Sequence, residues 1–140
     1  MHTQLLPESK EGALNRANIL LLEREHDLRK AIVLSMLQMD MHVTEASTIE
    51  QARNYIQEQL PDPADDLSRK VFILDLDFPD GKSSELINLF RQKNDGQQAI
   101  VLVITAERPM DTWRTIYKPD AILYKPLDVR YLIKKLKAWL

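Results

Sequence analysis

The chain has 140 residues, of which 44% are apolar, a formal net charge of −2 and no cysteine. This length fits one domain with a full hydrophobic core. The mild charge argues against a direct nucleic-acid surface, and the lack of cysteine excludes disulfides and thiolate sites. No apolar stretch reaches the roughly 20 residues that a membrane helix needs, so we expect a cytoplasmic domain without membrane contact.

Strands are predicted first, because short apolar runs that end at polar residues are typical of strands buried on both faces. Residues 1–16 show no clear periodicity and are predicted to form a partly disordered tail, which leaves residues 17–140 as the domain. Four apolar runs that end at a polar residue follow in chain order: 18–22 before Glu23, 71–74 before Asp75, 99–104 before Thr105, and 121–124 before Lys125. Residues 42–46 are a fifth, shorter candidate.

Apolar residues at helical spacing follow the strands. The predicted helices are 27–37, 49–60 behind an N-cap at Thr48, 83–92, a short helix opened by Pro109, and 128–140. Strands that alternate with helices predict an α/β fold with a doubly wound, five-stranded parallel sheet and helices on both faces.

The ends of four predicted strands are the candidate site. In an open parallel sheet, ligands bind beyond the carboxyl ends of the strands. We therefore expect Glu23, Asp75, Thr105 and Lys125 to lie in one crevice. Arg24 is the anomaly, since it places a cation where a second carboxylate would be expected.

Three motifs resemble the receiver domains of two-component response regulators. In chain order they are Asp75-Leu-Asp-Phe-Pro-Asp-Gly81, similar to a phospho-acceptor Asp followed by a Pro and a Gly turn, then Thr105-Ala106, and then Lys125-Pro126. The resemblance covers residues 17–140 and implies a flavodoxin-like receiver fold in signal transduction.

The resemblance implies a role for each site residue. Asp75 would accept a phosphoryl group from a histidine kinase or phosphotransfer protein in a phosphorelay. Thr105 would bind a phosphoryl oxygen and Lys125 would pair with Asp75 or the phosphate. Glu23, Asp75 and the backbone carbonyl of Asp77 would hold Mg²⁺, with Arg24 in the position of the family's second acid.

Arg24 is predicted to weaken Mg²⁺ binding. With Arg24 in the crevice, its positive charge and that of Lys125 balance the two negative charges of Glu23 and Asp75. The four side chains then carry no net charge. Two unit charges about 4 Å apart interact by roughly 4 kcal/mol at an effective dielectric of about 20, so a guanidinium in place of a carboxylate repels the metal. We expect Arg24 to pair with Asp75, Mg²⁺-dependent phosphorylation to be impaired, and Asp77 to compensate in part if its side chain points inward.

An interaction face is predicted near the end of the chain. Trp113, Tyr117 and Tyr131 fall in the segment that receivers commonly use to contact partners, and aromatic anchors suit interfaces. Output would go to a downstream protein or to a second copy of the chain; core packing is the alternative for these rings. No effector domain follows Leu140 in this sequence, which fits a stand-alone regulator and a fragment of a longer one equally well.

The same residues are compatible with two other functions. Asp75 and Asp77 are also similar to the nucleophile and acid/base pair of haloacid-dehalogenase-type phosphatases, with Thr105 and Lys125 as later motifs. That family places its first motif on the opening strand, whereas two strand–helix units precede Asp75 here, so we do not expect an enzyme. An α/β adaptor without phosphorylation is the third interpretation.

Overall fold

The computed structural model describes residues 17–39, 41–61, 68–79, 83–94 and 99–140. The strands are β1 (Ala17–Leu22), β2 (Met41–Ala46), β3 (Arg69–Asp75), β4 (Ala99–Thr105) and β5 (Ala121–Tyr124). The helices are α1 (His26–Leu37), α2 (Ile49–Asn54), α3 (Glu85–Lys93), α4 (Asp111–Tyr117) and α5 (Val129–Trp139). The predicted tail and the Gly81 turn lie outside the described residues.

The five strands form one parallel sheet in the order β2-β1-β3-β4-β5, which confirms the predicted doubly wound fold. The register places Leu22 beside Leu74, and Asp75 beside Ile104. Thr105 lies beside Tyr124, directly before Lys125. The polar residues that end these strands therefore reach the same edge of the sheet.

Two core layers cover the sheet, one on each face. Leu20, Phe72 and Val101 face α2, α3 and α4 in the first layer, where the rings of Phe72 and Phe90 lie 5.3 Å apart. The second layer holds α1 and α5 against alternate residues of the same strands, such as Ile19. Because successive side chains of a strand point to opposite faces, this arrangement explains why the predicted strands are apolar throughout.

The segment predicted as one helix over 49–60 begins as expected at Thr48, whose hydroxyl accepts a hydrogen bond from the Gln51 N–H at 3.1 Å. Beyond α2 the chain continues as a π-helical turn over Tyr55–Gln59, closed by a 2.8 Å bond from the Leu60 N–H to the Tyr55 carbonyl. Leu60 is extended, as a residue that precedes a proline usually is.

Helix α4 is short and has no fully buried residue. It begins two residues after Pro109 and ends at Lys118, which has a left-handed backbone with φ 47° and ψ 58°. Its contacts to α3 are specific. The Arg91 guanidinium donates to the carbonyls of Tyr117 and Lys118, and the indole N–H of Trp113 donates to Ser84 Oγ at 2.8 Å.

Among the described residues, no helix is both long enough and apolar enough to cross a bilayer.

Candidate functional site

A lysine at the end of β5 holds the acids that end β1 and β3. The Lys125 ammonium lies 3.1 Å from Asp75 Oδ2 and 3.9 Å from Glu23 Oε1. Both carboxyl side chains are fully buried, while the lysine side chain is 21% exposed. The structure therefore brings together Glu23, Asp75 and Lys125, as the strand ends predict.

The Asp77 side chain points into the site. Its Oδ1 lies 3.1 Å from the Thr105 hydroxyl, and its Oδ2 accepts the Ala106 N–H at 2.8 Å. The same Oδ2 lies 3.4 Å from the Lys125 ammonium. The sequence assigned Asp77 only a backbone role and left the direction of its side chain open, whereas in the structure this carboxylate contacts Thr105, Ala106 and Lys125.

Thr105 is fixed at the end of β4 by the backbone that follows it. Its hydroxyl oxygen accepts the Glu107 N–H at 3.2 Å. The hydroxyl proton faces two acceptors, Asp77 Oδ1 at 3.1 Å and the Glu107 carbonyl at 3.0 Å. Because a bond to an ionised acceptor is the stronger one, we assign the proton to Asp77.

Burial dominates the electrostatics of Glu23. It raises the pKa of this carboxyl from 4.5 to about 7, and the neighbouring Asp75, through a hydrogen bond and its charge, acts in the same direction. A bond from the Glu25 N–H and the charge of Lys125 oppose the rise. Oε1 of Glu23 has no hydrogen-bond partner among the described residues, so a proton on this oxygen that is donated to Asp75 would satisfy it.

Lys125 is stabilised in its charged form. Burial alone would lower its pKa, but the hydrogen bond to Asp75 and the charges of Asp75, Glu23 and Asp77 outweigh burial and raise the pKa above 10.5. The ammonium therefore stays charged throughout the physiological range. It is the one cation that the described residues place among these acids.

Comparison with solved structures identifies the fold that carries this site. No family model and no curated protein sequence matches the chain. A CheY-like receiver domain from Methanospirillum hungatei superposes with a TM-score of 0.71 at 17% identity, covering 89% of this chain and 93% of that one. Chemotaxis protein CheY4 from Vibrio cholerae gives 0.71 at 19% identity, covering 89% and 99%. The chain has the CheY-like receiver fold. The beryllofluoride-activated NtrC4 receiver domain dimer is also similar, with a TM-score of 0.66, 19% identity, and 86% and 93% covered.

Arg24 lies outside the acid cluster of this receiver fold. Its side chain is exposed beside Phe78 and Pro79, and it makes no ion pair with any described residue. The predicted Arg24–Asp75 ion pair is therefore wrong. Glu23 is buried in the site, and Asp75 pairs with Lys125 instead.

Asp75 and Asp77, two residues that the receiver resemblance implies as Mg²⁺ ligands, have protein partners in the structure. Both oxygens of Asp75 are occupied, Oδ1 by the Asp77 N–H at 2.8 Å and Oδ2 by Lys125. Asp77 is turned toward Thr105, and Arg24 supplies no carboxylate. Within the described part of the chain, no three Asp, Glu, His or Cys side chains are arranged to hold a metal ion.

The aromatic residues predicted as one interaction face are divided between two surfaces of the receiver fold. Trp113 and Tyr117, with rings 5.1 Å apart, pack partly against the first core layer and line a groove of about 600 Å³ beside Asp77. Tyr131 is 50% exposed on α5, with the Lys135 ammonium 5.9 Å from its ring centre. Exposed Met110 and Ile116 complete the groove, and sequence reasoning missed both.

Proposed function

We propose that this chain is a signal-transduction receiver domain that acts as a pseudo-receiver. It relays its state through protein contacts, and Asp75 occupies the phospho-acceptor position with impaired Mg²⁺-dependent phosphorylation. The observation that supports this most directly is the end of β1, where the buried Glu23 is followed by an exposed arginine and not by a second inward acid.

Phosphoryl transfer to a carboxylate depends on positioning and on neutralising charge. Asp75 is fully buried, and each of its oxygens already accepts a hydrogen bond. An attacking oxygen would have to give up one of these bonds, and Arg24 in the position of the second acid would weaken the binding of the Mg²⁺ that screens the incoming phosphate. Both features favour slow modification of Asp75 by a histidine kinase or phosphotransfer protein.

Output is proposed to go through the groove beside α4. Its half-buried Trp113 and Tyr117, flanked by Met110 and Ile116, offer aromatic and apolar anchors to a downstream protein or a second copy of the chain. No direct contact with nucleic acid or membrane is proposed, and the cytoplasm is the expected location.

Intact-mass measurement after incubation with a small acyl phosphate donor and Mg²⁺ tests this function. We expect little addition to the natural chain, none to Asp75→Asn, and faster, Mg²⁺-dependent addition to Arg24→Asp, which restores a second acid. Arg130→Asp is the matched control, because Arg130 is 95% exposed on α5 and the change of charge is the same. Rapid stoichiometric phosphorylation of the natural chain would overturn the pseudo-receiver proposal.

The phosphatase alternative is less well supported. Its acid/base residue would be Asp77, whose carboxylate is occupied by Thr105, Ala106 and Lys125. Turnover of a chromogenic phosphate ester that Asp77→Asn abolishes would favour it. The adaptor alternative differs in one observable: a phosphodonor would leave partner binding unchanged.

A further inference from the structure

We propose that the Asp77 carboxylate is the resident ligand of an oxyanion-binding cradle, which consists of the Ala106 N–H together with Thr105 and Lys125, the two residues to which the receiver resemblance assigns phosphate binding. The hydroxyl of Thr105, the N–H of Ala106 and the ammonium of Lys125 converge on this one carboxylate. The proposal rests on the proposed function in one respect, since it concerns the same crevice. It adds that the chain fills this site with its own anion, which a tetrahedral oxyanion such as phosphate must displace.

The cradle has the donors of an anion site. One donor is a hydroxyl, one is a backbone N–H and one is a cation, and they come from the ends of two neighbouring strands, β4 and β5. Two of them meet at Asp77 Oδ2, at 2.8 Å from the Ala106 nitrogen and 3.4 Å from the Lys125 nitrogen. Bonds to an ionised acceptor are roughly twice as strong as neutral ones, so a carboxylate here is held firmly.

The local backbone directs the Asp77 side chain toward the cradle. The Asp77 N–H donates to Asp75 Oδ1 at 2.8 Å, a side-chain-to-backbone turn of the kind that aspartate favours. The Leu76 N–H donates to the Ile104 carbonyl at 2.9 Å, which extends the pairing of β3 with β4 by one residue. Since Asp75 is fully buried, the turn is anchored and places the next acid beside Thr105.

The occupied cradle resists an external anion in two ways. The oxyanion must replace three donor contacts that Asp77 already makes, and it must approach the negative charge of Asp75, which Lys125 also has to balance. Asp77 can nevertheless leave, because its side chain is 28% exposed and its residue lies after the end of β3. Exchange of one anion for another would thus require movement of a short segment only.

Titration with inorganic phosphate, without metal or phosphodonor, tests the proposal. A Trp139→Phe background leaves Trp113 as the only tryptophan, and this residue lines the same groove as Asp77 and Thr105. In this background Asp77→Ala is expected to bind phosphate at least about tenfold more tightly than the parent, because the internal ligand is gone. Potassium chloride at equal ionic strength corrects for non-specific salt effects.

Three further variants complete the test. Glu107→Ala removes an exposed carboxylate from the same groove and should bind phosphate like the parent. Adding Thr105→Val to Asp77→Ala should abolish the gain in affinity. Asp77→Asn keeps the shape of the side chain and should show a smaller gain, which covers the case in which the alanine variant fails to fold.

The proposal is overturned if neither Asp77 variant binds phosphate more tightly than the parent, or if Glu107→Ala gains as much. It is independent of the outcome for the pseudo-receiver proposal, because no covalent modification is measured. Ready phosphorylation of Asp75 would reject the pseudo-receiver proposal alone. The lack of a gain in phosphate affinity in the Asp77 variants would reject the present proposal alone.

Discussion

Replacing Glu23 with Gln is expected to stabilise the protein at pH 8 and to change its stability little at pH 4.5. Glu23 is fully buried, and its pKa is raised to about 7. In the unfolded chain the same carboxyl titrates near 4.5. Glutamine has the shape of the protonated acid and can donate an amide N–H toward Asp75, but it cannot ionise.

The pKa values set the size and the sign of the effect. Between pH 4.5 and about 7 the folded chain keeps a proton that the unfolded chain has released, so the free energy of unfolding falls as the pH rises through this window and is level above it. Each pH unit between the two pKa values is worth about 1.4 kcal/mol, which gives at most about 3.5 kcal/mol for full ionisation. We expect Glu23→Gln to gain roughly 3 kcal/mol over the natural chain between pH 4.5 and pH 8.

Urea unfolding monitored by tryptophan fluorescence at several pH values from 4.5 to 8 measures this difference. Glu107→Gln is the matched control, since Glu107 is exposed and the same carboxyl is lost. Parallel pH profiles for Glu23→Gln and the natural chain would refute the reasoning. So would a variant that is less stable at pH 8, because the attraction of Glu23 for Lys125 would then exceed its cost of burial.

Three further substitutions test contacts around the sheet edge. Lys118→Gly should raise the free energy of unfolding by about 0.5–1 kcal/mol, because a left-handed residue after a helix favours glycine; lower thermal stability would contradict this. Asp120→Ala should cost about 1–2 kcal/mol in urea unfolding, since the N–H of buried Val101 donates to Asp120 Oδ2 at 2.7 Å, and an unchanged midpoint would show that water replaces the bond. Lys125→Gln should cost roughly 2–3 kcal/mol at pH 7 by leaving the buried Asp75 without its ion pair; a neutral effect there would show that the ion pair does not stabilise the fold.

The sequence was sufficient to predict the parts of the fold that depend on local pattern. Apolar runs bounded by polar residues identified four strands, and a side-chain oxygen before an apolar stripe identified the start of α2 at Thr48. Asp128 likewise caps α5 through the Arg130 N–H at 2.9 Å. The strand ends then placed Asp75 and Lys125 together, since the parallel order of the sheet fixes where those ends meet.

Side-chain direction at the ends of strands could not be predicted in the same way. Arg24 was predicted to lie in the crevice but is exposed, and the direction of the Asp77 side chain was left open. Asp77 turns inward because its N–H bonds to Asp75, a contact that a linear motif does not encode. Trp113 and Tyr131 belong to helices on opposite faces of the sheet, which sequence proximity conceals.

The two contacts between α3 and α4 have a mechanical consequence. Ser84, next to the start of α3, accepts a hydrogen bond from the Trp113 indole, and Arg91 near the end of α3 donates to the carbonyls of Tyr117 and Lys118 at the end of α4. These bonds join α4 to α3 near both of its ends and couple their movement on the sheet. A displacement that begins at Thr105 would then also reach a partner that contacts only α3.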